Sequence, residues 1–274
     1  MKKFDVFHFF FGESLFPRLM DLTLLRKMRK RVFVHFHGRD VTSKKLLIPA
    51  RKAALSKTTG AEKTLPLATS SQLEMVSRWR KYADALFIST PDLLYVVPDA
   101  ILVPQPIELE KWQFNPNRCS TDNNQIVIAH APTDRELKGT SYVIDAVQQL
   151  QSEGLDVRLE LIENVPPEQV VEKFSRCHIC IDEIVQGCYG HVTVECMALG
   201  IPVIARLEPI YESVCPNVPL VNADPQTLVQ KLRLLVQDSN LRQNLAIEGR
   251  KFVERRHDVR IIAADLIKRY AAQP

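Results

Sequence analysis

Strand-like and helix-like stretches alternate along the chain. Residues 4–11 and 32–36 are short β-rich apolar runs, with a helical segment between them near 19–28. Residues 71–82 read as a helix, 85–89 as a strand closed by Pro91, and 101–103 as a further short strand. Pro104 and Pro106 cannot continue that strand, because proline removes a ladder donor and restricts the residue before it. A polar stretch follows up to residue 124, and then the signals become cleaner. Residues 125–130 form a buried strand. Val143, Ile144, Val147 and Leu150 stand at helical spacing within 140–152, and 157–162 alternates as a strand. Residues 167–175 form a helix with Pro167 in its first turn, and 178–182 form the next strand. Residues 201–205 and 219–221 are strand-like, with Pro202 suited to a strand start, and 227–271 reads as two or three helices. Strands separated by helices in this order build parallel βαβ units. The expected fold class is α/β, with two domains divided at 1–115 and 116–257 and a closing segment 258–274.

Residues 187–205 hold the densest chemistry. Gly187 and Gly190 let backbone approach a ligand closely. An amphipathic helical stretch follows with one carboxylate, Glu195, then Gly200 stops the helix and a buried strand begins. A helix N-terminus presents unpaired N–H groups and a positive dipole end, which suit a diphosphate. Glu195 can accept hydrogen bonds from sugar hydroxyls. The same order also describes a plain connection in a parallel sheet, with Glu195 on a solvated face. Physical chemistry alone leaves both open, since ligands gather at the carboxyl ends of strands in open α/β sheets.

Composition narrows the classes. With 46% hydrophobic and 25% charged residues the chain is an ordinary globular protein, with disorder expected only near 57–69 and 115–124. No apolar run is long enough to cross a bilayer. The apolar opening is interrupted by Asp5 and lacks a small-residue cleavage site, so it reads as a strand and not a leader. Six cysteines, at 119, 177, 180, 188, 196 and 215, lack the density of a disulfide framework, which suggests a reducing cytoplasm. Cys177 and Cys180 have a zinc-ligand spacing, but no second pair follows, so they are expected as core residues and no metal site is expected. Charge is uneven. Residues 26–57 hold eleven lysines and arginines against Asp40 alone, a balance of +10 in a chain of +4. A solvated surface explains this, and so does attraction to an anionic membrane or a phosphate-bearing acceptor. The membrane is favoured. Nucleic acid is not, because interleaved aromatics and a recognisable binding module are missing.

Arg135 and Lys138, with Gly139 beside the lysine, follow the strand 125–130. Cations there can neutralise a leaving diphosphate without a metal ion. His37 and Asp40 follow the strand 32–36 and can orient a hydroxyl. His8 and Gly12 are lesser candidates for an acceptor side. Asp182 and Glu183 stand before the glycine loop, where they can bind nucleotide or hold the loop. No G-x-S-x-G elbow is present, and without a P-loop or a G-x-G-x-x-G the ATPase and classical dehydrogenase readings fall away.

The run Glu195-Cys196-Met197-Ala198-Leu199-Gly200-Ile201-Pro202-Val203 resembles the donor segment of retaining glycosyltransferases with the GT-B fold. That segment usually reads E-G-F-G-x-x-x-x-E-A-M-A-x-G-x-P-V. Glu195 matches its second glutamate, whereas Gly187 stands where the first is expected. A variant with a G-x-Y-G loop matches Gly187, Tyr189 and Gly190. Arg135, Lys138 and Gly139 match the family's arginine and lysine-glycine pair in order. His37 and Gly38 match a histidine-glycine pair whose histidine faces the cleft near the donor sugar. The resemblance implies a GT-B fold of two Rossmann-like domains with parallel sheets, the first shortened at its start. It also implies a closing helix that packs back on the first domain. A shortened first sheet would expose an edge that invites pairing with another chain.

The resemblance implies retaining transfer from a UDP- or GDP-linked sugar, with no cofactor, to a saccharide, lipid or small-molecule acceptor, and the cations and backbone N–H groups would make a metal unnecessary. Arg135, Lys138, Gly139, Gly187, Tyr189, Gly190, His191 and Glu195 would bind the donor, and His37 with Asp40 would act on the transferred sugar. The expected setting is cytoplasmic, peripheral at the inner membrane surface, in polysaccharide biosynthesis. The alternatives are a non-catalytic module that binds a nucleotide sugar or a partner chain, and a nucleotide-sugar epimerase, for which no acid–base pair is evident.

Overall fold

The computed structural model describes residues 3–55, 67–116 and 125–272. They form two compact units, one of residues 1–105 with 260–274 and one of residues 106–259. The chain leaves the first unit at Gln105, earlier than the boundary at 115. Ile107 makes a parallel bridge with Asp258, and its N–H donates to His257 O at 2.8 Å, which binds this segment to the second unit.

In the first unit β1 (Val6–Phe10), α1 (Met20–Lys27), β2 (Arg31–Phe36), α2 (Lys44–Leu55), α3 (Ser70–Tyr82), β3 (Ala85–Ile88) and β4 (Ile101–Leu102) follow in order. The sheet is parallel throughout, in the order β1-β2-β3-β4. β2, buried along nearly its whole length, is central, as a doubly covered strand without polar alternation should be. Leu22 and Leu25 of α1 and Val76 and Trp79 of α3 join one core with Val32, Val34 and Phe36. Ile262 of the last helix packs in a second cluster with Phe33 and Phe87. Thr69 and Gln72 start α3 with a reciprocal capping box. α2, which contains Pro49, was not foreseen.

The second unit contains β5 (Ile126–His130), α4 (Arg135–Lys138), α5 (Thr140–Ser152), β6 (Val157–Leu161), α6 (Pro167–Ser175), β7 (Ile179–Ile181), α7 (His191–Leu199), β8 (Val203–Ala205), α8 (Ile210–Val214), β9 (Val221–Asn222), α9 (Leu228–Gln237) and α10 (Ser239–Arg256). α11 (Val259–Ala271) is the closing helix. The second sheet runs β6-β5-β7-β8-β9, parallel throughout. β8 begins at Val203 and not at Pro202, whose carbonyl accepts from Cys180 N at 2.9 Å. The last strand lies at 221–222, later than the apolar 219–221 suggested.

Cys177, Cys180, Cys188, Cys196 and Cys215 are buried and none is in a disulfide; Cys119 lies outside the described residues. The segments 57–69 and 115–124 fall largely outside the described residues, as do Lys57 and the side chain of Lys52. The basic run is partly consumed by structure. Arg26 and Arg31 pair with Asp84, Lys30 pairs with Asp5, and Arg51 is buried over the Tyr95 ring.

Candidate functional site

The strand order of the second unit creates a crevice. β5 leads to β6 on one side, while β7 pairs on the other, so connections from the carboxyl ends of β5 and β7 leave in opposite directions. Such a switch point is where an open α/β sheet accepts ligands. His130 ends β5 fully buried. Its Nδ1–H donates to Ile181 O at 2.7 Å, since a carbonyl can only accept, and its Nε2 therefore accepts from Thr140 Oγ1 at 3.0 Å. Burial lowers its pKa, so it stays neutral. It pins β5 to β7 and to the start of α5.

Beyond β5, Asp134 caps α4 by accepting from Glu136 N at 3.1 Å and Leu137 N at 3.2 Å. Gly139, at φ +76°, joins α4 to α5; a Cβ there would stand 3.0 Å from Val185. This turn delivers Lys138 inward. Its Nζ lies 2.5 Å from Asp182 Oδ1 and 2.9 Å from Glu183 Oε1, the two residues that follow β7. All three side chains are buried. Desolvation opposes the lysine's charge, but Asp182 and Glu183 outweigh it and hold the ammonium well above its ordinary pKa. For Asp182, burial raises the pKa, yet Lys138, Thr193 and Gly190 together bring it below the ordinary value. Glu183 moves up, driven by burial and by its neighbour Asp182. The cluster holds one firm cation, one firm anion and one acid inclined to keep its proton.

Asp182 also binds the next element. Its Oδ2 accepts from Thr193 Oγ1 at 2.7 Å and from Gly190 N at 3.4 Å. The first turn of α7 is thereby anchored over the crevice, while Gly190 gives no side-chain cap to its N–H groups. An anion can take their place as acceptor. His191 stands exposed at the first helical position. Glu195 is half-buried, and burial followed by the charge of Asp182 raises its pKa to about 7. α7 is not amphipathic as expected: Thr193, Val194 and Cys196 to Leu199 are all buried. It packs between its sheet and α10, where Gly249 lies against Met197.

Two expected donor residues are placed elsewhere. Arg135 is exposed and makes a bidentate pair with Glu163, at 2.9 and 2.5 Å, apart from the Lys138 cluster. Tyr189 points into the core, where its hydroxyl lies 3.2 Å from His257 Nε2 and its ring packs against Tyr211 and Phe252. Burial raises the phenol pKa and keeps it neutral. Gly187 adopts φ +88°, and a Cβ there would come within 2.7 Å of Arg206 and of Glu208. These two form a buried ion pair, and Glu208 N donates to Gly187 O at 2.9 Å. Sequence reasoning missed Thr193, Arg206 and Glu208. Only Thr193, in the first turn of a predicted helix, carried a local signal.

In the first unit His37 Nδ1 lies 2.7 Å from Ser89 Oγ, and its ring stacks 4.4 Å from that of His35. Asp40 is not poised for chemistry. Its carboxylate accepts from His37 N at 3.1 and 3.0 Å and from Gly38 N at 2.7 Å, closing the turn after β2. His35 and His8 are held neutral by burial, with pKa values of about 3 and about 4. His8 Nδ1 pairs with Tyr270 OH at 2.5 Å. Gly12 accepts from the Trp79 indole at 2.8 Å.

Residues 145–252 match the family model for glycosyl transferases group 1. No curated protein matches the chain in sequence. Among solved structures, a sucrose-phosphate synthase from Thermosynechococcus elongatus aligns with TM-score 0.69 at 15% identity, over 98% of this chain and 73% of that one. HepE from Anabaena, in complex with UDP, aligns with TM-score 0.67 at 14% identity, over 99% and 79%. TarM from S. aureus aligns with TM-score 0.61 at 8% identity, over 91% and 54%. At these identities the likeness shows the fold, which is GT-B.

Proposed function

From the match of residues 145–252 to the glycosyl transferases group 1 model and from the GT-B fold, we propose that the chain moves a sugar from a nucleotide-sugar donor to a hydroxyl acceptor. The observation that carries the reading is the first turn of α7, without a side-chain cap and anchored by Asp182 beside Lys138. The donor diphosphate would take up the N–H groups of His191 to Thr193. Lys138 would supply a fixed positive charge as the leaving group's charge grows, so that no metal is required. Glu195 would receive sugar or ribose hydroxyls. A UDP-linked donor is favoured, because the Anabaena neighbour was solved with UDP and with UDP-glucose. Retention of configuration follows from the resemblance of residues 187–203, and a saccharide or lipid acceptor from the same likeness.

A second reading is favoured by Gly187. The space its side chain would need is filled by Arg206 and Glu208, and the domain could bind a nucleotide sugar without turnover. Calorimetric titration with UDP, GDP and ADP and their sugar conjugates, run with and without a chelator, tests the site. Binding of one donor, weakened by Glu195→Ala, supports it; no binding of any overturns it. Binding with no transfer to any acceptor supports the second reading. Isomerisation of the donor sugar would reveal an epimerase.

A further inference from the structure

The first unit carries a surface that the donor chemistry does not use. Leu15, Phe16, Met20 and Leu24 are 59%, 53%, 71% and 47% exposed. Met20 and Leu24 are one turn apart on α1, so they share its outer face, while Leu22 and Leu25 fill the core beneath. The preceding loop is held against that helix. Asp21 accepts from Ser14 Oγ at 2.5 Å and from Leu15 N at 3.1 Å, which fixes Leu15 and Phe16 at its first turn. An ordinary monomer does not spend four large apolar side chains on one exposed stretch.

The charges around them choose the occupant. Arg18, Lys27 and Arg29 are exposed, and so is Arg26, which pairs with Asp84. From residue 13 to residue 39 seven lysines and arginines stand against two acids, Glu13, exposed where the loop begins, and Asp21, which is 3% exposed and engaged in the loop. A second copy of the chain would set the same patch against itself and appose like charges, because an isologous contact is self-complementary. A bilayer with anionic headgroups satisfies both components: acyl chains receive the apolar side chains and headgroups meet the cations. We propose that the 15–29 surface docks this unit on an anionic membrane. No helix among the described residues is long and apolar enough to cross one.

Sedimentation of the purified chain with vesicles tests this independently of the donor site, since it needs neither nucleotide nor turnover. Vesicles of phosphatidylcholine mixed with phosphatidylglycerol should carry the protein down, those of phosphatidylcholine alone should not, and raised salt should release it. Lys27→Ala with Arg29→Ala should weaken binding about thirty-fold, at about 1 kcal/mol for each cation lost. Phe16→Ser with Met20→Ser should weaken it too, with the circular dichroism of both variants unchanged. Failure to bind the mixed vesicles, or binding that neither pair of substitutions reduces, overturns the proposal. So does a dimer in solution that Phe16→Ser with Met20→Ser dissociates, which would assign the surface to a second copy.

Discussion

Replacing Lys138 by methionine removes the cation paired with two buried carboxylates. Asp182 and Glu183 would be left facing each other, both buried. Breaking a buried ion pair from one side costs about 3–5 kcal/mol, a large part of the roughly 5–15 kcal/mol that a domain possesses. At a urea dependence of about 2–3 kcal/mol/M, the unfolding midpoint should fall by about 1–2 M. The pH dependence has a definite sign. In the native protein Asp182 lies below its ordinary pKa, so its contribution exists above that value and fades as pH falls. Without Lys138 both folded carboxyls rise above their unfolded values. The folded variant then holds more protons than the unfolded chain and loses stability as pH rises. Glu183, already shifted upward, takes the first proton. The gap between wild type and Lys138→Met, measured by urea unfolding, should therefore be wider at about pH 8 than at about pH 5. An equal gap at both, or an unchanged midpoint, would refute the account of the cluster. Adding Asp182→Asn and Glu183→Gln removes the stranded charges and should restore most of the loss. If that triple variant folds but binds nucleoside diphosphate poorly, the lysine's part in binding is separated from its part in stability.

Glu195 and Gly187 give two further tests. Raising a carboxyl from 4.5 to about 7 means that stability falls as pH rises between those values, so Glu195→Gln should exceed wild type by at most about 3 kcal/mol near pH 8 and match it near pH 4; thermal melts at both pH values check this, and equal melting at the higher pH would contradict it. Gly187→Ala meets a left-handed backbone and a filled space together, and should cost about 1–3 kcal/mol in urea unfolding. A neutral result would mean that the Arg206–Glu208 pair yields freely.

The local parts of this site were legible in the sequence, and its long-range parts were not. Glycine at 190 and 200 bounds a nine-residue helix, and a lysine-glycine turn follows a buried strand; both are short-range signals, and both elements formed where expected. Asp40 misled because a carboxylate close to a histidine suggests chemistry, whereas a short acidic side chain also closes its own turn by accepting backbone N–H groups. The misreading of α7 has a similar cause. A helix buried on both its sheet side and its α10 side shows no polar stripe, and Glu195 alone was taken for one. Gly187 shows the limit most clearly. Read along the chain, it is a glutamate missing from the resembled segment. In the fold, its carbonyl is bound by Glu208 N, and the volume on its Cβ side belongs to Arg206 and Glu208, which stand after the next strand. A side chain at 187 and that ion pair exclude one another as packed, so the departure belongs to two segments at once. The space beside Gly187 is thus set by residues 206 and 208, which no pattern confined to residues 187–203 can register.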